Sequence, residues 1–221
     1  MHRRVVVSTT LGTLLTLGLI ASPAQAGTVA RSNSGRAVHI IKSGSALKAS
    51  PNSVAMFKQF STPVAKYTTH TCVIDFSGLP DFTQVTSVSG CGVTVTFSVP
   101  MEKRSVPGSW STWGSPPDTE GATPAVLYTQ GATDVTLTYS NSNRLVGVEA
   151  EPDLFQVESF TATFRNRAGA TVGTINRDAD GNAGAKLFAG QTGRGNSQKV
   201  WSLEITDLAG DDFAIAQIRV T

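Results

Sequence analysis

Two tryptophans three positions apart, Trp110 and Trp113, are the residues of this sequence best suited to contact a ligand. They lie in residues 100–124, a long stretch rich in Pro, Gly and Ser, and connections of this length are often functional. Exposed indole rings can stack on the C–H faces of sugars or supply contact area for another partner. Because tryptophan is usually well buried, the alternative is that one or both rings cap the core. We predict ligand contact through both rings and keep the cap as the alternative.

Two glutamates, Glu149 and Glu151, have a spacing that suggests acid–base chemistry. Two positions on one strand face are about 6.6 Å apart, which is near the carboxyl separation of inverting glycosidases. Any Glu-x-Glu strand gives this distance, however, and a glycosidase pair usually comes from different strands. The alternative is an exposed acidic edge, or an ion pair with an arginine such as Arg165 or Arg219.

Residues 176–181 resemble the first half of a calcium loop, with oxygen-bearing side chains at positions 1, 3 and 5 and Gly at position 6. Position 12 is Leu187 instead of Glu, so this is not an EF-hand. A looser Ca²⁺ turn would use Asp178, Asp180 and Asn182, which we predict as metal ligands with Ca²⁺ as the cofactor. The alternative is a hairpin turn in which Asp-Gly and Asn-Ala-Gly supply the positive φ angles.

Motifs for nucleophilic, metal-dependent or nucleotide chemistry are absent from the sequence. Beyond residue 26 the only histidines are His39 and His70, and there is no GxSxG, HExxH or P-loop. A Rossmann pattern and a basic domain are also missing, which excludes dinucleotide and nucleic-acid partners. The sequence therefore predicts a protein that is not an enzyme and does not bind nucleic acid.

Cys72 and Cys91 are the only cysteines. In an exported chain an isolated pair is expected to form a disulfide. Closing a loop of this length contributes about 3 kcal/mol in the chain-entropy model. The alternative, a metal site, lacks a CxxC motif or a nearby histidine.

Residues 1–26 have the pattern of a secretory signal peptide. Arg3 and Arg4 precede an apolar stretch, and Ala24-Gln25-Ala26 supplies a small-x-small cleavage site. The alternative, a membrane anchor, is disfavoured because Ser and Thr interrupt a stretch that is already short for a span. We predict a secreted, extracellular chain with no transmembrane segment after cleavage.

Charge divides the remaining chain in two. Residues 27–70 contain six Lys and Arg and no acid, whereas residues 71–221 contain ten Lys and Arg and sixteen Asp and Glu. The first segment also lacks sustained periodicity, and we predict a basic, largely irregular arm or linker before a β-sandwich domain at 71–221. The arm could contact an anionic cell-surface polymer, or it could be a solvated linker that rests on the acidic domain.

Strand patterns follow one another from residue 71 onward. Apolar and polar residues alternate strictly over 93–99, and within 133–140 Val135, Leu137 and Tyr139 alternate with threonines, which is typical of strands with one buried face. The alternation slips near Glu158 and Ser159, which predicts a β-bulge or bend there. About ten strands at short spacing, with no convincing helix, predict an all-β fold, an antiparallel β-sandwich of jelly-roll type.

Four pieces of the sequence, residues 124–128, 146–152, 183–189 and 212–219, resemble the β-sandwich ectodomains of uncharacterised bacterial exported proteins. Some members of that group end in a PEP-CTERM sorting signal when full-length. The resemblance implies a galactose-binding-like jelly roll, a fold that often carries carbohydrate-binding modules. The pieces are structural, and no sorting signal follows the last strand, so release rather than anchoring is expected.

Three functional hypotheses follow. The leading one is a secreted β-sandwich module that binds a polysaccharide, a glycan or another envelope or extracellular component. The alternative is a structural or interaction protein of the cell surface whose basic arm docks a polyanion. The third is a glycan-active enzyme that uses Glu149 or Glu151. Fold resemblance alone does not choose among them.

Overall fold

The computed structural model describes residues 57–221. The predicted signal peptide and residues 27–56 of the predicted arm lie outside the described residues, and so does His39. Between residues 57 and 221 no helix is both long enough and apolar enough to cross a membrane.

The described chain consists of twelve strands, one short helix and one 3₁₀ turn. In chain order these are β1 (Lys58–Phe60), α1 (Ala65–Thr68), β2 (Cys72–Val73), β3 (Gln84–Gly90), β4 (Val93–Ser105), β5 (Ala125–Tyr128), β6 (Asp134–Asn143), β7 (Leu145–Pro152), β8 (Val157–Arg165), β9 (Thr171–Asp180), β10 (Lys186–Gln191), the 3₁₀ turn (Asn196–Gln198), β11 (Val200–Asp207) and β12 (Phe213–Val220). Most of them show the predicted alternation: in β6, Val135 and Leu137 are buried and Thr138 is exposed.

The last eight strands form two four-stranded antiparallel layers. Their orders are β5-β12-β7-β10 and β6-β11-β8-β9, so strands that are distant in sequence become neighbours. This interleaving of eight strands in two layers is the jelly-roll arrangement, and it confirms the predicted fold class. The long strand β4 pairs with β6 through its first half and with β5 through its second half, and thereby joins the layers along one edge.

One hydrophobic core lies between the layers. It combines side chains of the first layer, such as Val148 and Ile215, with side chains of the second, such as Phe164 and Leu203. Burying apolar area of this kind contributes about 25 cal/mol per Å² and is the main stabilising term of the fold.

Strand β7 differs from the others because all eight of its residues are buried. One face meets the core. On the other face, the connection formed by residues 106–124 covers Glu149 and Glu151, and Tyr67 covers Leu145 and Gly147. After β7 the chain bends over residues 153–156 and enters β8, whose pairing with β9 is uninterrupted from Val157 to Phe164. The predicted bulge near Ser159 is therefore wrong. The slip in alternation arises because Phe155 and Val157 are exposed at 66% and 64%.

The β-sandwich starts before residue 71, contrary to the predicted boundary. Strand β1 pairs with β10, and Tyr67 of α1 is fully buried against Phe60 and Leu145. The predicted arm therefore contributes a strand and a core side chain over residues 57–70. Sequence periodicity could not show this, because a three-residue strand and a four-residue helix are too short to produce it.

The predicted disulfide is confirmed. Cys72 lies in β2, and Cys91 lies in the turn between β3 and β4, with 6.0 Å between their Cα atoms. The bond fastens β2, which pairs with the end of β12, to the β3–β4 hairpin.

Candidate ligand-binding site

Trp110 and Trp113 are buried, with exposures of 6% and 3%. They pack with Val126 of β5 and with Ala214 and Ala216 of β12 in a small cluster on the outer side of the first layer. The prediction of an exposed stacking platform is therefore wrong. The alternative of a cap is correct, although the rings cap the outer face of a sheet and not the central core.

Each indole donates a hydrogen bond to one of the two glutamates of β7. Trp110 Nε1 lies 2.7 Å from Glu151 Oε2, and Trp113 Nε1 lies 3.0 Å from Glu149 Oε2. The second oxygen of Glu149 accepts the backbone N–H of Glu120 at 2.7 Å. The residues that looked like separate ligand and acid–base sites therefore form one set of contacts that fastens residues 106–124 to the sheet.

Burial dominates the electrostatics of these two carboxyls. It raises the pKa of Glu149 to about 7 and that of Glu151 to about 7, although their hydrogen-bond donors act in the opposite direction. Both side chains are fully buried. Carboxyls enclosed in this way cannot flank a glycosidic bond, so the geometry does not fit the acid–base role considered from their spacing.

Two ion pairs also hold the connection. Arg219 of β12 donates from Nε and Nη2 to the carboxylate of Glu120 at 2.5 and 2.6 Å, and Lys186 meets Asp118 at 2.6 Å. The sequence suggests Arg219 as a partner of Glu149 or Glu151, but in the structure Arg219 pairs with the carboxylate of Glu120 instead. The other arginine considered, Arg165, pairs with Glu204 instead.

A cleft of about 310 Å³ opens beside the edge of Trp110. One wall is formed by residues 109–112, the other by the corner 152–155, and Arg104 and Gly181 complete it. Phe155 projects at this corner with 66% of its surface exposed. Ligand sites of small molecules are commonly clefts of this size that combine apolar surface with a few fixed polar groups.

Arg104 is the fixed cation of the cleft. It donates to Glu102 Oε1 at 2.7 Å and to the Ser109 carbonyl at 3.1 Å. Its guanidinium carbon lies 4.9 Å from the ring centre of Tyr128 and 5.3 Å from that of Phe82, whose ring is 61% exposed. These contacts orient the planar guanidinium between two aromatic rings.

Acidic groups complete the cleft and its margin. Asp153 lines the cleft, and burial, followed by the neighbouring charge of Asp212, raises the pKa of its carboxyl. The phenol of Tyr128 donates a short hydrogen bond to Asp212. The arrangement presents donors, acceptors and an exposed ring together, which suits a ligand that has both hydroxyl groups and apolar faces.

The sequence analysis did not identify this cleft. Its two walls are 40 residues apart in the chain and meet only through the strand order of the sandwich. The sequence contained one signal. Phe155 and Val157 occupy odd-numbered positions, whereas the buried residues of β8 occupy even-numbered positions, so the alternation indicates that both side chains are exposed.

The predicted calcium ligands lie at the β9–β10 turn. Asp178 accepts a hydrogen bond from Ser159 Oγ at 2.6 Å, and Asp180 Oδ1 accepts the backbone N–H of Asn182 at 2.9 Å. The second contact is an Asx turn, which agrees with the hairpin alternative. Over residues 57–221 no group of three His, Cys, Asp or Glu side chains is arranged to hold a metal ion. Calcium binding stays a prediction.

Comparison with known proteins gives no family. No protein-family model matches the chain, and no curated protein is significantly similar to it. Among solved structures, a family 11 carbohydrate-binding module of Clostridium thermocellum with a bound mixed-linked tetrasaccharide is 10% identical, with 68% of this chain and 94% of that chain covered and a TM-score of 0.33.

Two further solved structures are similarly remote. The CBM22-1–GH10 modules of a C. thermocellum xylanase with bound xylohexaose are 11% identical, with 46% of this chain and 22% of that chain covered and a TM-score of 0.31. The active domain of a bacteriophage CBA120 tailspike protein is 13% identical, with 71% and 21% covered and a TM-score of 0.29. At such identities and TM-scores we take no function from these proteins.

Proposed function

We propose that this chain is an exported β-sandwich module that binds a carbohydrate chain in the cleft beside Trp110. The observation that carries the proposal is the exposed Phe155 ring, which lines the same cleft as the fixed Arg104 guanidinium and Asp153. Sugars combine apolar C–H faces with hydroxyl groups, and both need a partner for tight binding. Export is supported by the pattern of residues 1–26.

The contacts of the walls support a preformed site. Residues 109–112 are held by the indole bond to Glu151, and Thr112 also donates to the Gly181 carbonyl at 3.0 Å. The opposite wall is held where the Asp153 N–H donates to the Asp212 carbonyl at 3.0 Å. A preformed cleft loses little conformational freedom on binding, which favours affinity.

Affinity electrophoresis of the full chain through gels that contain neutral soluble polysaccharides tests the proposal. We expect at least one polymer to retard the protein, and Phe155→Ala to weaken that retardation roughly tenfold, as removal of an aromatic anchor typically does. Phe155→Tyr, which keeps the ring, should bind like the original chain.

The matched control is Leu208→Ala, since Leu208 is also 61% exposed but lies outside the cleft. It should leave the retardation unchanged. If no polymer retards the protein, or if Phe155→Ala migrates like the original chain in every gel, the proposed function is wrong.

A further inference from the structure

The three connections at the end of the sandwich opposite the cleft are basic. These connections are residue 144 between β6 and β7, residues 166–170 between β8 and β9, and residues 192–199 between β10 and β11. The antiparallel pairing of the strands brings them to the same end of the sandwich. These connections contain Arg144, Arg167, Arg194 and Lys199 and no acidic residue. With His70, which is also exposed, we call this surface the basic end.

The opposite end has the reverse charge. Its connections contain Asp153, Asp211 and Asp212 and no basic residue. The strands that reach it end or begin with three acids, Asp134, Asp180 and Asp207, and with one base, Lys186, which pairs with Asp118; Arg104 lies in the cleft itself. The domain is therefore polarised along its strands, with the candidate glycan cleft at the acidic end. Such a field orients a charged partner before contact.

The basic side chains converge and are not dispersed over the surface. Arg144, Arg194 and His70 line one cleft of about 320 Å³, together with Leu145, Gln191 and Thr221. Lys199 is the neighbour of Arg144 across the ladder, because Val200 pairs with Asn143.

Contacts between the connections fix the basic end. The Asn166 side chain donates to the Ser197 carbonyl at 2.7 Å, which fastens residues 166–170 to residues 192–199. The Arg167 guanidinium carbon lies 4.9 Å from the ring centre of Trp201. Cations held on a rigid frame lose less side-chain freedom when an anion binds them.

Carboxylates do not neutralise these cations in the described part of the chain. The salt bridges within residues 57–221 use bases outside the basic end, namely Lys103, Arg104, Arg165, Lys186 and Arg219. Both Arg144 and Arg194 are exposed to solvent. The charge of the basic end is therefore directed outward.

We propose that the basic end is an interaction surface for an anionic polysaccharide, a polymer that carries carboxylate groups along its length. Cations on three separate connections can meet several such groups at once, which a single small anion cannot do. Apart from His70, the surface is formed by connections of the domain that lie outside the segment 27–70 to which the sequence pointed.

Two other polyanions fit less well. Membrane docking needs exposed apolar side chains among the cations, and none of the large apolar side chains exposed within residues 57–221 lies in these three connections. Single-stranded nucleic acid needs free aromatic faces for its bases, whereas Trp201 is half-buried and has Arg167 over its ring.

The test is binding of the full chain to polygalacturonate, with dextran as the neutral control polymer. The triple variant Arg144→Ser/Arg194→Ser/Lys199→Ser should bind polygalacturonate roughly 100-fold more weakly, since each cation near an anionic surface contributes about a fivefold factor. Arg144→Lys/Arg194→Lys keeps the charge and should bind within about threefold of the original chain. Binding should weaken steeply between low and physiological salt.

Further variants keep the outcomes distinct. Arg194→Ser alone should weaken binding about fivefold. This single substitution at an exposed side chain still tests the surface if the triple variant does not fold. Phe155→Ala should bind polygalacturonate unchanged, because Phe155 lies at the opposite end; a loss in that variant would move the anionic polymer to the cleft and overturn the inference. Dextran binding that the triple variant loses to the same extent, an unaffected triple variant, or displacement by phosphatidylserine vesicles or single-stranded DNA at lower concentrations than polygalacturonate would also overturn it.

Discussion

Glu149 and Glu151 owe their environment to the two indoles that cover them. An indole N–H can donate a hydrogen bond but cannot accept one, so it is a suitable neutral partner for a buried carboxylate oxygen. A hydrogen bond to a charged group contributes about 1.5–3 kcal/mol, and an oxygen left without a donor costs about as much. The Trp110–Glu151 and Trp113–Glu149 pairs therefore stabilise the fold only as pairs.

Glu151→Gln should make stability less dependent on pH. The folded pKa of about 7 lies above the ordinary value of 4.5, so the folded chain keeps a proton that the unfolded chain has released. The free energy of unfolding therefore falls as pH rises from 4.5 to 7. Without the carboxyl, that fall should be smaller by roughly 2–3 kcal/mol, which urea unfolding at pH 5 and pH 8 measures.

The glutamine should be tolerated at this position. Glu151 Oε1 faces the Thr112 hydroxyl at 3.4 Å, and a hydroxyl can accept from the new amide N–H. The control is Leu208→Ala, which removes an exposed side chain without a titratable group and should leave the pH dependence unchanged. Equal pH dependence in Glu151→Gln and the original chain would show that Glu151 is not the buried titrating group.

The connection 106–124 is a covering element without regular structure. It is ordered because β7 and β12 supply partners for its indoles, for the Glu120 backbone and for the Glu120 carboxylate. The sequence indicated an important connection and placed both glutamates on one face of a strand. It could not pair them with the indoles, because the partners are 36 and 41 residues apart and no local pattern encodes such contacts.

Arg219→Met should loosen this covering element. The change leaves the Glu120 carboxylate partly buried without its cation and removes the donors to the carbonyls of Thr68 and Thr71. Breaking a buried pair in this way costs about 3 kcal/mol or more. We expect that loss in urea unfolding, together with faster proteolytic cleavage within residues 106–124.

Arg165→Met provides the comparison. The Arg165–Glu204 pair is about one-third exposed at both side chains, and pairs of that kind contribute less than about 1 kcal/mol. If both variants lose the same stability, or if residues 106–124 remain equally resistant to protease, the Glu120–Arg219 pair does not hold the connection.

The whole sandwich shows which aspects of the fold a sequence can reveal. Alternation is local, so the strands and the fold class could be predicted. The order β5-β12-β7-β10 could not, because it depends on pairings between strands far apart in the chain. The cleft was missed for the same reason. The N-terminal boundary was missed because β1 and α1 are stabilised by packing and carry no periodic pattern of their own.

A chain that begins at residue 71 should be markedly less stable than one that begins at residue 49. The shorter chain lacks Phe60 and Tyr67, which pack with Leu145 and Leu187, and exposes the edge of β10 that β1 covers. Loss of each buried aromatic side chain costs about 3–5 kcal/mol. Thermal unfolding of the two chains measures the difference, and equal melting temperatures would place the boundary at residue 71 after all.

The two ends of the sandwich differ in charge and in chemistry. The acidic end has the cleft with an exposed aromatic ring, and the basic end has converging arginines without one. A module of this kind can contact a neutral glycan at one end and an anionic polymer at the other. Because the ends are separated by the length of the strands, substitutions at one should leave the other unaffected.

The central claim is that a carbohydrate occupies the cleft beside Trp110, and the intrinsic tryptophan fluorescence tests it most directly, because Trp110 lines that cleft whereas the other two emitters, Trp113 and Trp201, do not. The full chain is titrated with the neutral polysaccharide that retards it most strongly in gels. We predict a saturable change in emission that Phe155→Ala abolishes and that the triple variant of the basic end retains. A saturable change that persists in Phe155→Ala, or no change at concentrations that retard the protein, would contradict the claim.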